Sequence, residues 1–117
     1  MKMKHFPLWI LVALVVAMSP AAAQNVVTDW MGIVQPAIHN PTAPSAPPYA
    51  AIRHAIIQLA VYDAVMAIEG GYKPYAAAIM APPGADVRAA VATAAYRTAR
   101  ARVASSQVNY LDTQYTA

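Results

Sequence analysis

Residues 49–68 read YAAIRHAIIQLAVYDAVMAI, twenty positions without a glycine or a proline. Ile52, Ala55, Ile56, Leu59, Tyr62 and Met66 recur at three- and four-residue intervals. That spacing predicts an amphipathic α-helix with those side chains as its core stripe. Val61, Val65 and Ile68 widen the stripe to much of the circumference, which predicts a helix central to a larger bundle. Gly70-Gly71 stops it, because glycine is favoured just past a helix end.

Working outward, the same logic gives shorter helices on either side and an all-α fold. Thr28 or Asp29 is a candidate N-cap for a short helix carrying Trp30, Ile33 and Val34, which Pro36 should kink or end. Residues 40–48 hold four prolines in nine positions and read as an extended, partly polyproline connector. Downstream, Tyr72-Lys73-Pro74-Tyr75 is a turn, and Ala81-Pro82-Pro83-Gly84 is a second break. Asp86 then caps a helix to about Ala104 with a stripe of Ala89, Ala92, Tyr96, Ala99 and Val103. Ser105 or Ser106 is a candidate cap for a fourth helix carrying Val108, Leu111 and Tyr115.

The N-terminus carries the three parts of a secretory signal. Lys2 and Lys4 form a basic start, Phe6 to Ala17 an apolar stretch, and Ala21-Ala22-Ala23 a small-residue cleavage site after Pro20. Residues 1–23 are therefore expected to be removed, leaving 24–117 as one helical segment of a secreted or periplasmic protein, with Gln24 first. The alternative is an uncleaved anchor. The run from Phe6 to Met18 is shorter than the roughly 18 to 20 residues a spanning helix needs, so no stable membrane span is expected after cleavage. No cysteine follows the apolar stretch to carry a lipid anchor.

Composition narrows the chemistry. Of 117 residues 59% are hydrophobic and none is cysteine, which excludes disulfides, thiolate metal sites and cysteine nucleophiles. The formal charge of +3 falls to +1 once Lys2 and Lys4 are removed, so it does not point to a nucleic-acid partner. Arg97, Arg100 and Arg102 read as a solvated helix face. The segment 24–117 contains 23 alanines, whose methyl groups bury little area each. Its helices are therefore expected to pack against more protein, either the remainder of the same chain, a helical partner or a second copy.

Few residues suggest catalysis. His54, Gln58 and Tyr62 lie one helical turn apart, a row suited to binding a ligand or, as a buried ladder, to joining helices. Asp63, on an otherwise apolar helix, must be paired or exposed, and a hydrogen bond to a backbone amide or a tyrosine is the expected role. Asp63 and Glu69 are six apart and share no helical face, which argues against a paired-carboxylate site. His39 and His54 have no usual ligand spacing, so no metal site is expected. Tyr72 and Tyr75 offer a peptide-binding edge or, more simply, pin their loop down.

Together these segments resemble the N-terminal part of bacterial vanadium-dependent haloperoxidase-like proteins, within the type 2 phosphatidic acid phosphatase superfamily. The resemblance runs through Val27-Thr28-Asp29-Trp30, then Ala60 to Ile68, then Gly71-Tyr72-Lys73-Pro74-Tyr75, then Ala81 to Ala85. It departs at Met66, where such proteins usually have asparagine, and at Gln58, where histidine is common. It implies a helical bundle whose full-length members bind vanadate or phosphate and oxidise halides with peroxide or hydrolyse phosphoesters. The lysine, arginine and histidine motifs that hold the oxyanion in that family have no counterpart here, so no catalytic, cofactor-binding or metal residue is carried over. Trp30, Tyr62, Asp63, Tyr72, Pro74 and Tyr75 correspond to structural positions only. From a different class, the alternative is a short exported helical module that binds a protein partner.

Overall fold

A computed structural model describes residues 25–40 and 46–117. The expected signal peptide and part of the proline-rich connector lie outside the described residues. Within them the chain is all-α, with helices α1 (Val26–Ile38), α2 (Pro47–Glu69), α3 (Val87–Arg100) and α4 (Val108–Thr116) and no strand. A 3₁₀ turn, Ser105–Gln107, leads into α4.

Each helix boundary has a local cause. Asn25, not Thr28 or Asp29, caps α1: its side chain accepts from the Val27 amide at 3.0 Å, and the Thr28 hydroxyl donates back to the Asn25 carbonyl at 2.8 Å. The helix thus starts three or four residues ahead of the sequence expectation. It also runs through Pro36 to Ile38. The proline falls in the last turn, where only one hydrogen bond, to the Gly32 carbonyl, is forfeited. Pro47 and Pro48 belong to α2 rather than to the connector, since proline suits a first turn whose amides have no helical acceptor. The Asp86 carboxylate accepts from the Ala89 amide at 2.7 Å and starts α3. That helix stops at Arg100, four residues earlier than its pattern suggests, as the Arg102 and Val103 amides both turn back to the Ala99 carbonyl. Neither Ser105 nor Ser106 caps α4 through its side chain.

The buried core is Trp30, Val34, Ala37 and Ile38 from α1, Ala50, Ile57 and Val61 from α2, Val91, Ala95 and Ala99 from α3, and Leu111 from α4. Among the described residues no polar or charged side chain is buried. The hub is α3, which packs most extensively on α2 and also on α1 and α4. Its core side chains are small, so three neighbours approach its backbone closely. The core face of α2 differs from the sequence stripe: it is Ala50, Ile57, Val61 and half-buried Val65, while Ile52 is 54% exposed. On α3 the buried line runs through Val91 and Ala95, and Ala89 is exposed. By length and composition alone, the 23 residues of α2 are also sufficient to cross a membrane. Counting only uninterrupted apolar runs overlooks this, because Arg53 and Asp63 break the run without ending the helix.

Candidate functional site

After α2 the chain must reverse direction. Gly70 does this at φ 68° and ψ −151°, with its amide closing the helix onto the Met66 carbonyl. That backbone conformation is essentially restricted to glycine. The returning segment is then fastened to α2 by three sets of hydrogen bonds. The Tyr62 hydroxyl donates to the Lys73 carbonyl at 2.9 Å. Asp63 accepts from three successive amides, Tyr75 at 2.6 Å, Ala76 at 2.9 Å and Ala77 at 3.1 Å. Further on, the Ala81 amide donates to the Ala67 carbonyl at 3.0 Å.

This clamp sets the electrostatics of Asp63. The amides of Tyr75 and Ala76, more than offsetting partial desolvation, hold its carboxyl below the usual carboxylate range. Both carboxylate oxygens are engaged, so Asp63 fixes a loop rather than serving as an acid or base. The Tyr72 and Tyr75 side chains do not pin that loop: they are 78% and 71% exposed, and the fastening goes through the Tyr75 backbone instead. Pro74 between them is half-buried.

Between the clamped segment and α2 lies a groove of about 660 Å³. Ile56, Leu59, Ala64 and Ile68 form its helical wall, and Ile79, Met80 and Pro82 the facing one. Asp63 borders it with its oxygens already satisfied, and the rest of the lining is apolar apart from the Tyr75 hydroxyl and backbone. Ile79 and Met80 are 66% and 92% exposed. The groove can therefore bury apolar groups.

The predicted His54–Gln58–Tyr62 row does not act as a unit. Gln58 is exposed and Tyr62 turns to the Lys73 carbonyl. His54 instead faces His39, at the end of α1, with ring centroids 5.4 Å apart. Burial first, and then the neighbouring His39, lower the His54 pKa from its ordinary value.

A second cluster joins side chains whose sequence spacing does not bring them together. Trp30 sits against Tyr96 and Tyr115, whose rings stack on each other at 4.1 Å. Asp112 accepts from the Tyr96 hydroxyl at 2.8 Å and from the Arg100 guanidinium at 2.9 Å. Arg100, with Tyr96 adding to its effect, keeps the Asp112 carboxyl below its usual range. Arg100 is therefore not simply a solvated charge. The signal was present as Tyr96-x-x-x-Arg100 on one helix and Asp112 on the next.

Among the described residues, Arg100, Lys73 and His54 do not come together as a site for the vanadate or phosphate that the family resemblance implies. Arg100 is already neutralised by Asp112. Lys73 follows the C-terminal end of α2, whereas His54 lies in its N-terminal half, about 22 Å from Glu69 along the axis at ~1.5 Å per residue. No group of three or more histidine, aspartate or glutamate side chains converges among the described residues. Compared with known families, characterised proteins and solved structures, the chain has no match.

Proposed function

We propose that this chain is an N-terminal, non-catalytic scaffold segment of an exported protein resembling vanadium-dependent haloperoxidases and acid phosphatases, and that further helices of that protein fill its apolar groove. The observation that carries the reading is the groove itself, walled by the outer side of α2 and by Ile79 and Met80. A continuous apolar surface of this kind on a small domain ordinarily marks a contact surface. The clamp through Asp63 holds the loop wall in place, as a scaffold requires.

In such a protein, halide oxidation by peroxide or phosphoester hydrolysis belongs to lysine, arginine and histidine motifs outside this segment. Purified residues 24–117 should accordingly show no bromide oxidation with peroxide and vanadate, and no hydrolysis of a phosphomonoester. Turnover of either substrate overturns the proposal. The same groove also supports a second reading, a small exported module that binds a helical protein partner. Under that reading the segment is soluble and unfolds cooperatively on its own. As a scaffold segment it keeps its own core folded but binds hydrophobic dyes at the open groove and self-associates as its concentration rises.

A further inference from the structure

We propose that His39 and His54 form a two-histidine site for a divalent transition-metal ion, bridging the end of α1 to the N-terminal half of α2. Two imidazoles sharing a tetrahedral ion, with metal–nitrogen bonds of about 2.0–2.1 Å, place their ring centroids about 5 Å apart. The observed separation is 5.4 Å, with 30° between the ring planes. The two residues are fifteen positions apart and meet only because the two helices are brought together across the connector.

The hydrogen bonding of His39 suits it to the task. Its Nδ1 lies 3.1 Å from the Gln35 carbonyl oxygen. A carbonyl only accepts, so Nδ1 carries a proton, which leaves Nε2 as the nitrogen to bind a metal. An imidazole whose other nitrogen donates to a backbone carbonyl is the arrangement that fixes ring orientation in metal-bound histidines. The His39 amide donates to the same carbonyl at 3.0 Å, so ring and backbone are tethered to one point. His54 is half-buried on the rigid body of α2. With no third histidine or carboxylate converging among the described residues, water completes the coordination, and the site binds at micromolar rather than nanomolar levels. The inference does not depend on the scaffold reading, since neither histidine lines the groove.

Titration of the full chain with Zn²⁺ in a calorimeter at neutral pH tests it. One ion per chain is expected, with a raised melting temperature. H39A and H54A should each weaken binding by about tenfold or more, equivalent to ~1.4 kcal/mol or more. R88A, at an exposed position on α3, should leave it unchanged. Cu²⁺ should bind more tightly than Zn²⁺. A second measurement covers the case in which a variant loses its helices: Zn²⁺ should slow diethyl pyrocarbonate modification of both His39 and His54 in the unsubstituted chain. Absence of saturable binding, binding that survives both substitutions, one ion per two chains with dimerisation, or unprotected histidines would each overturn the site.

Discussion

Gly70→Ala isolates the device that turns the chain from α2 into the clamped segment. A Cβ added at Gly70 meets nothing within 4 Å, so crowding plays no part. What remains is the backbone, at φ 68° and ψ −151°. A non-glycine residue held there is disfavoured by about 1–3 kcal/mol. Alanine also reduces the freedom of the unfolded chain, which offsets about 0.4–1 kcal/mol of that. At the midpoints of those ranges the net loss is about 1.3 kcal/mol, lowering the midpoint of a circular-dichroism melt by about 5–10 °C for a domain of this size. Gly32→Ala is the matched control. Gly32 is inside α1, and a Cβ there also meets nothing within 4 Å. Alanine is the better helix former, so that variant should gain about 0.5–1 kcal/mol. Opposite signs at the two glycines support the turn geometry. A Gly70→Ala variant as stable as its parent would refute it.

Other consequences follow from the same contacts. Ile57 is fully buried between α2 and the core, and Ile57→Ala should lose about 2–5 kcal/mol in urea unfolding. In Asp63→Ala the amides of Tyr75, Ala76 and Ala77 should exchange hydrogen faster, while those inside α3 should not. Asp63 and Asp112 both have lowered pKa values, so the folded state binds their protons less readily than the unfolded chain. Their stabilising contribution should be present above about pH 4 and be lost as the pH falls below it, measured as melting temperature against pH. His54, with its pKa also lowered, has the same sign at a higher pH. With a chelator present, stability should begin to decline as the pH drops below about 6.5, and H54Q should remove that step.

How much the sequence reveals depends on whether a feature is local. The existence of α2, its glycine stop and the Asp86 cap are written in contiguous residues, and the structure places all three there. The buried side of α2 is not legible, because apolar residues surround that helix and periodicity has no contrast from which to choose a face. Nor is the role of α3: its methyl groups look like a weak core, yet their size is what lets α1, α2 and α4 converge on it. For Asp63, residue chemistry predicts a hydrogen-bonded role, but the partners, twelve to fourteen residues away, depend on the turn at Gly70. His39 and His54 have no motif spacing at all, and only the packing of two helices brings them together.

The central claim is that this chain is the scaffold part of a larger catalytic protein. Reading the source DNA in frame past the codon for Ala117 tests it most directly. The account predicts an open frame carrying lysine, arginine and histidine motifs of the Lys…Arg-Pro, Ser-Gly-His and Arg…His type. A stop codon directly after Ala117 would contradict it and leave the partner-binding module as the reading to pursue.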